Sequence, residues 1–466
     1  MLFCSLTFIF IFFPIVLFLY FITKKLSFKN LILLVASLIF YAWGEPIYIF
    51  LMLLTVGVSY IFGLLIDHYD NQKKYKHKKI SLILSILFII GILGFFKYGN
   101  FVIDNINALL NFNIDHIDFK LPIGISFYSF QILSYLIDLY KKEIKIQKNV
   151  FDLALYVSLF PQLIAGPIVR YQTIENELST RKTTLNDVVY GIKRFIVGLS
   201  KKVLIANQMG LIADTIFDYP NMGEFGTLII WMGALAYTFQ IYFDFSGYSD
   251  MAIGLGRIFG FKFLENFNFP YISKSVTEFW RRWHISLSSW FRDYIYIPLG
   301  GNRVKKSRWI LNILIVWLLT GLWHGANWNF IFWGLYFGLI LLFEKLYFNK
   351  ILNKLPNIIK WLYAFILIII GWVIFRNTNT DHIFLSLERM FIYTPSDLKT
   401  FIIKFSDTIS TFIYFIPAII FSFPSIDLCK ERKNNLVTNT ILLVLFLMCI
   451  TFLVSSSYNP FIYFRF

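Results

Sequence analysis

Two of the six histidines in this 466-residue chain lie in apolar sequence where an imidazole could do chemistry. His324 lies in segment 318–330, between two long apolar runs, and His284 follows the arginine pair Arg281 and Arg282. Imidazole is the usual general base near neutral pH and can take a proton from an attacking hydroxyl. A buried ionisable group in a membrane is costly and therefore often marks function. From its local sequence alone, His324 fits a catalytic base and a structural histidine equally well.

The residues around the two histidines suggest how each is used. The arginines Arg281 and Arg282, interleaved with aromatic residues, suit the phosphates of an activated acyl donor. They suit contact with lipid headgroups at least as well. Near His324, the small residues Gly321, Gly325 and Ala326 leave room for another chain or a substrate to approach the backbone.

A third polar group is the pair Asp244 and Asp250, which flanks a predicted break in the apolar sequence at 243–250. These carboxylates could hold an ion or a substrate, orient a histidine, or tie broken helix ends. We favour a supporting role over a chemical one. The sequence contains no close set of His, Cys and carboxylate residues with metal-ligand spacing, so no metal site is expected.

The composition indicates that a bilayer surrounds most of the chain. Hydrophobic residues make up 58% and charged residues 15%, whereas soluble domains carry about 25% charged residues. The formal net charge of +16 fits Lys and Arg in cytoplasmic loops better than nucleic-acid binding. We therefore predict an all-α polytopic membrane protein and a single domain, 1–466.

Apolar runs and flanking charges define the predicted spans. Their predicted bounds are Leu6–Ile22, Leu31–Trp43, Tyr48–Ile66, Ser81–Phe96, Leu121–Tyr140, Thr227–Phe243, Met251–Phe263, Trp309–Trp323, Phe330–Phe343, Trp361–Phe375, Ser410–Phe423 and Val437–Val454. Regions 150–215 and 264–308 are rich in charges and are predicted as re-entrant or interfacial rather than spanning segments. The lysine-rich loop 67–79 and the basic cluster 430–433 are expected in the cytoplasm, with both termini outside.

Several motifs occur in an order that is specific to one family. They are Leu121-Pro-Ile-Gly-Ile-Ser-Phe-Tyr-Ser-Phe-Gln131, Phe160-Pro-Gln-Leu-Ile-Ala-Gly-Pro-Ile168, Phe243-Asp-Phe-Ser-Gly-Tyr-Ser-Asp-Met-Ala252, Glu278-Phe-Trp-Arg-Arg-Trp-His-Ile-Ser-Leu287, Tyr296-Ile-Pro-Leu-Gly-Gly-Asn302 and Thr320-Gly-Leu-Trp-His-Gly-Ala-Asn327. The sequence resembles the membrane-bound O-acyltransferase (MBOAT) family, in the bacterial branch of alginate and peptidoglycan O-acetyltransferase membrane subunits. The motifs are concentrated in residues 121–345.

The resemblance implies a fold and a set of site residues. The implied fold is a ring of roughly 11–12 transmembrane helices around a thinned centre, with re-entrant or interfacial helices. The implied catalytic residues are His324, at the family's essential histidine, and His284, the second recurring one. The candidate donor-binding residues are Arg281, Arg282, Trp323 and Asn327, with Asp244 and Asp250 as structural support.

The resemblance also implies a function at the bacterial cytoplasmic membrane. Acetyl groups from cytoplasmic acetyl-CoA would cross the membrane for O-acetylation of an exported polysaccharide or peptidoglycan. No bound cofactor is expected, and an exported SGNH-type acetyltransferase or a similar partner would finish the transfer. One alternative is D-alanyl transfer to teichoic acid from a carrier protein. The other, from a different class, is a polysaccharide or lipid transporter, although no internal repeat of the kind common in transporters is visible.

Overall fold

The structure, a computed structural model, describes residues 1–424, 436–456 and 458–462, apart from the side chain at position 407. The described residues are largely α-helical and include no strand, which confirms the all-α fold class. They form two compact units, one of residues 1–195 and 249–264, the other of residues 196–248 and 265–466. The prediction of a single domain over the whole chain stays a prediction. The basic cluster 430–433 lies outside the described residues.

The first unit is built mostly from the N-terminal helices. They are α1 (Phe8–Ile22), α2 (Leu26–Ala42), α3 (Tyr48–Asn71), α4 (Tyr75–Leu110), α5 (Ile125–Lys141), α6 (Val150–Ser158), α7 (Phe160–Leu163) and α8 (Tyr171–Thr180). Two long helices contribute residues to both units: α9 (Leu185–Phe217) and α10 (Thr227–Ile258). Within the first unit α9 and α10 approach closely, because a Cβ on Gly191 would lie 2.5 Å from the carbonyl oxygen of Gly254.

The second unit contains both candidate histidines. Its helices are α11 (Val276–Arg282), α12 (Ile285–Phe291), α13 (Lys306–His324), α14 (Trp328–Leu352), α15 (Asn357–Arg376), α16 (Thr380–Phe391), α17 (Leu398–Lys404), α18 (Ser406–Ile409), α19 (Ser410–Phe421) and α20 (Leu436–Ser455). Helix α12 continues as a π-helical turn, Arg292–Tyr296, and two 3₁₀ turns occur at Met222–Glu224 and Pro270–Ile272.

Seven helices of the described chain are long and apolar enough to cross a bilayer, which makes this a multi-pass membrane protein. They are α3, α4, α9, α10, α14, α15 and α20. Helices α1, α2 and α19 are apolar but shorter. The predicted count of roughly 11–12 spans and their arrangement as a ring stay predictions.

Two predictions about the spans are wrong. The segments 227–243 and 251–263 were expected as separate crossings around a polar break, but α10 runs through that break as one helix. The polar side chains do not interrupt the backbone, because Asp244 and Asp250 are each paired with a cation from α9. For the same reason part of region 150–215 forms the long apolar helix α9, in which Lys202 and Arg194 are neutralised by those carboxylates.

Candidate active site

A helical hairpin, α13 followed by α14, fixes the position of His324. His324 is the last residue of α13, and Asn327 starts α14 by accepting a hydrogen bond from the backbone N–H of Asn329 at 3.4 Å. The two helices pack backbone against backbone, since a Cβ on Gly321 would lie 2.2 Å from the carbonyl oxygen of Phe330. The close approach to the backbone expected beside His324 therefore occurs at Gly321, where α14 of the same chain takes the space.

The second histidine lies in a break between two short helices. Ser275 caps α11 by accepting the N–H of Glu278 at 3.0 Å, and α11 ends just before His284. His284 has a left-handed backbone conformation, φ 44° and ψ 56°, and α12 begins at the next residue. Such a conformation in a non-glycine residue costs of order 1–3 kcal/mol and persists only where the surroundings enforce it.

A buried carboxylate anchors the start of α11. Glu344, which is fully buried on α14, accepts hydrogen bonds from the backbone N–H groups of Val276 at 2.7 Å and Thr277 at 2.9 Å. It also accepts one from the Thr277 hydroxyl at 2.6 Å. Negative charge at a helix N-terminus is stabilising, because the first N–H groups have no partners within the helix. Glu344 therefore holds α11, and through it His284, against α14.

Both histidines line one cavity of about 230 Å³. His324 is 8% exposed and His284 is 1% exposed. The cavity is lined by Thr277, Trp280, Arg281, Trp283, His284, Leu287, Ser288, Phe291, Arg292, Tyr296, Ile313, Val316, Trp317, Thr320, His324, Leu341 and Lys345. The two candidate catalytic residues, which are far apart in sequence, therefore share one chamber with Arg281.

Aromatic rings surround both imidazoles. The His324 ring lies 5.0 Å from Trp333 and 5.0 Å from Phe375, both edge-on. Trp323 contacts both histidines, with ring-centre distances of 5.0 Å to His324 and 5.8 Å to His284. These packed rings limit the rotation of both imidazoles and exclude water from that side of the cavity.

The hydrogen bonds of His284 define its state. Its Nδ1 lies 3.2 Å from Oδ1 of Asn266, and its Nε2 has no hydrogen-bond partner among the described residues. His284 lies outside the seven candidate spans, and burial lowers the pKa of its imidazole to about 3. The ring is therefore neutral at physiological pH and retains one nitrogen that can accept a proton or a hydrogen bond.

The four predicted donor-binding residues are not all brought together. Arg281 lines the cavity, and Trp323 contacts both histidines without lining it. Arg282 does not line it, and instead donates to Glu278 Oε1 at 2.9 Å and to the carbonyl of Asn268 at 3.1 Å. Asn327 caps α14, as described above. The donor-binding role of all four stays a prediction.

Two cavity cations were missed by sequence reasoning. Arg292 follows α12, is 63% exposed and pairs with the adjacent Asp293 at 2.6 Å. Lys345 lies on α14 beside Glu344. Arg292 lies within the charged region 264–308, which offered a weak signal. Lys345 lies twenty-one residues beyond His324, at the end of an apolar run. Its local sequence does not distinguish it from a lysine that merely flanks a membrane span.

The carboxylates Asp244 and Asp250 are both away from this cavity. Asp244 pairs with Lys202 at 2.7 Å and accepts the backbone N–H of Ile462 at 2.9 Å. Asp250 pairs with Arg194 at 2.6 Å. Neither lines the chamber that contains the histidines, and their supporting role stays a prediction.

Comparison with known proteins identifies a family and several relatives. The family model described as MBOAT, membrane-bound O-acyltransferase family, matches residues 140–377. The chain is 43% identical over 410 residues to a probable alginate O-acetylase AlgI of Azotobacter vinelandii, covering 86% of this chain and 80% of the relative. It is 35% identical over 512 residues to a peptidoglycan O-acetyltransferase of Helicobacter pylori, covering 98% and 96%. A teichoic acid D-alanyltransferase of Bacillus subtilis is 31% identical over 285 residues, covering 56% and 70%.

Proposed function

Because this chain belongs to the membrane-bound O-acyltransferase family, we propose that it moves acetyl groups from cytoplasmic acetyl-CoA across the membrane for O-acetylation of an exported cell-surface polysaccharide or peptidoglycan. The observation that carries the proposal is the shared cavity of His324 and His284, with three cations on its wall. An O-acyltransferase needs a base for a hydroxyl and a binding site for an activated acyl donor, and this cavity offers residues for both.

The proposed reaction in this chain is acyl transfer from the thioester of the donor to an acceptor hydroxyl. His324 takes the proton of the acceptor hydroxyl, and the oxygen attacks the thioester carbonyl of the donor. The C–S bond breaks, the thiolate of CoA leaves, and the proton held by His324 passes to it. One ester and one free thiol are formed from one thioester and one hydroxyl, so no oxidant or metal ion is required.

The size of the cavity limits what it can contain. A chamber of about 230 Å³ is smaller than the 300–1,000 Å³ typical of sites that enclose a drug-sized ligand. It suits an acetyl thioester and part of its thiol arm, and the nucleotide of CoA would lie outside it. Arg281, Arg292 and Lys345 supply the charge expected of a site for phosphates.

The membrane context supports a cytoplasmic donor. The lysine-rich segment 67–79, where α3 ends and α4 begins, marks the expected cytoplasmic side by the positive-inside rule. We place the protein in the bacterial cytoplasmic membrane, with acetyl-CoA on one side and the polymer on the other. An exported acetyltransferase of the SGNH type, or a similar partner, would finish the transfer to the polymer.

D-alanyl transfer from a carrier protein is the second candidate. The named D-alanyltransferase matches over about half of this chain, whereas the named peptidoglycan O-acetyltransferase matches nearly all of it. This difference in coverage favours acetyl transfer.

The proposal is tested by following a labelled acetyl group. Inside-out vesicles that contain the protein are supplied with acetyl-labelled acetyl-CoA, and both the released CoA and the label in polymer are measured. The expected result is CoA release that depends on His324. Release of carrier protein from a D-alanyl carrier thioester, with none of CoA from acetyl-CoA, would replace acetyl transfer by D-alanyl transfer.

A further inference from the structure

Asn266, a fully buried residue in the loop before α11, contacts His284 and the two residues that follow it. Its backbone carbonyl accepts the N–H of Ile285 at 2.9 Å. Its side-chain oxygen, Oδ1, accepts the backbone N–H of Ser286 at 3.2 Å and the Ser286 hydroxyl at 2.9 Å. The same Oδ1 lies 3.2 Å from Nδ1 of His284. These contacts hold the chain on the C-terminal side of the left-handed residue His284.

The orientation of the Asn266 amide follows from one of these contacts. A backbone N–H can only donate, so the side-chain atom facing the N–H of Ser286 must be the oxygen. An amide oxygen can only accept from an imidazole nitrogen, so Nδ1 of His284 must carry the proton. The Ser286 hydroxyl also lies 3.4 Å from Nδ1, but its hydrogen is already donated to Oδ1 of Asn266 at 2.9 Å. In a neutral imidazole the other nitrogen, Nε2, then has a free lone pair.

We propose that Asn266 is a positioning residue that fixes His284 as the tautomer protonated on Nδ1, so that Nε2 is presented to the substrate as a hydrogen-bond acceptor. The inference rests on the proposed function for the identity of the substrate, but the tautomer itself does not depend on it. It gives His284 a direction of hydrogen bonding: Nε2 accepts from an O–H or N–H group and cannot donate to a developing oxyanion.

Two further observations support this assignment. Nε2 of His284 is buried and has no partner among the described residues, although an unsatisfied buried acceptor costs about 1–3 kcal/mol. The left-handed backbone of His284 adds a second local cost. Costs of this kind persist at functional sites, where a ligand supplies the missing partner.

Other charged groups near His284 come from several elements. Arg281 of α11, Arg292 after α12, His324 of α13 and Lys345 of α14 line the same cavity. Helix α10 presents the ring of Phe245 to His284 at 4.6 Å, and the neighbouring Asp244 is paired with Lys202. A negative charge placed at position 266 would therefore be a new carboxylate in direct contact with Nδ1.

The test compares two substitutions at position 266 in vesicles that contain the full-length protein. Asn266→Leu removes the acceptor, and kcat for CoA release from acetyl-CoA should fall about 10–100-fold, as for lost outer partners of histidine ligands. The KM for acetyl-CoA should stay within about twofold. Asn266→Asp keeps the acceptor but favours the protonated ring, so the pKa of His284 should rise by about 1 unit or more.

Asn312→Asp is the matched control. Asn312 is also fully buried, and its side chain donates to the carbonyls of Leu299 and Gly301, both at 3.1 Å, away from any histidine. This control should lower the amount of folded protein without raising the pKa of His284. A rise of the His284 pKa in Asn312→Asp equal to that in Asn266→Asp would overturn the assignment.

A second measurement is independent of activity. Nitrogen NMR of histidine-labelled protein, with the His284 signal assigned by its loss in His284→Asn, reports which ring nitrogen carries the proton. The expected result is protonated Nδ1 in the unaltered protein and a mixed population in Asn266→Leu. Protonated Nε2 in the unaltered protein would refute the proposal even if CoA release is normal. Protonated Nδ1 without CoA release would support the tautomer assignment and would contradict acetyl-CoA as the donor.

Discussion

Lys202 and Asp244 form an ion pair in which both side chains are only 2% exposed, with Nζ and Oδ1 2.7 Å apart. The pair has further partners: Lys202 donates to Asn207 Oδ1 at 2.9 Å, and Asp244 accepts the N–H of Ile462. A buried ion pair is stable only when such hydrogen bonds compensate its desolvation. The ion pair therefore joins α9 to α10, and the hydrogen bond from Ile462 attaches the chain around residue 462 to α10.

Breaking the pair should act on stability rather than on chemistry. Asp244→Asn leaves Lys202 charged and buried without its partner, a change that typically costs about 3–5 kcal/mol. We expect a marked loss of thermal stability and membrane abundance, measured by fluorescence-detected size exclusion after heating. Any protein that remains should keep its KM for acetyl-CoA.

The matched control for this pair is Glu143→Gln. Glu143 pairs with Lys141 at 3.9 Å, and both side chains are substantially exposed, so its removal should change stability by less than about 1 kcal/mol. Equal stability of Asp244→Asn and Glu143→Gln would show that the buried pair contributes nothing.

The close contact of α13 and α14 predicts a steric effect at Gly321. A Cβ there would lie 2.2 Å from the backbone oxygen of Phe330, so Gly321→Ala must separate the two helices and displace His324. We expect a large loss of acetyl transfer. Gly91→Ala on α4 has nothing within 4 Å and should be neutral or slightly stabilising, because Ala is the better helix former. If both variants transfer acetyl normally, the hairpin accommodates a methyl group at position 321, and the close packing of α13 and α14 is not required for activity.

The two neighbouring arginines should behave differently towards the donor. Arg281 lines the cavity, whereas Arg282 is bound to Glu278 and Asn268. Arg281→Gln should raise the KM for acetyl-CoA about tenfold or more, since a charge-assisted hydrogen bond is worth about 1.5–3 kcal/mol. Arg282→Gln should lower protein abundance and leave that KM unchanged. A raised KM in Arg282→Gln alone would restore the reading of Arg282 as the donor-binding residue.

The sequence predicted the two histidines of the site but not the residues that position them or the cations that pair with the buried carboxylates. An imidazole in apolar sequence is conspicuous, so His324 and His284 could both be identified, and the structure brings them into one cavity. Asn266 could not be found, because an asparagine in a Phe-rich loop has no distinctive pattern until its partners are known. The break at 243–250 was predicted wrongly for the same reason: the sequence shows the charge of Asp244 and Asp250 but not the cations that neutralise it.

The lysine distribution predicts the topology, which can be tested with single cysteines. In a variant without Cys4, Cys429 and Cys449, a cysteine at position 76 should resist an impermeant thiol reagent in intact cells and react after permeabilisation. A cysteine at position 115 is the control, since that exposed loop should face outward and react in intact cells. Labelling of position 76 in intact cells would reverse the orientation and with it the side from which the donor enters.

The last prediction concerns His324, the proposed base. His324→Ala should abolish acetyl transfer in a folded, inserted protein, because losing a general base typically costs about 10²–10⁴ in rate. His324→Gln keeps hydrogen-bonding capacity without a basic nitrogen. A defect in this variant as well would show that the reaction requires proton transfer by residue 324 and not hydrogen bonding alone. The measurement is the acetate content of the exported polymer, normalised to membrane abundance of each variant. His382→Ala, on helix α16, is the control: it should behave as the unaltered protein, since His382 does not line the cavity. Near-normal acetylation by well-inserted His324→Ala would remove the proposed base and leave His324 a structural residue of the hairpin.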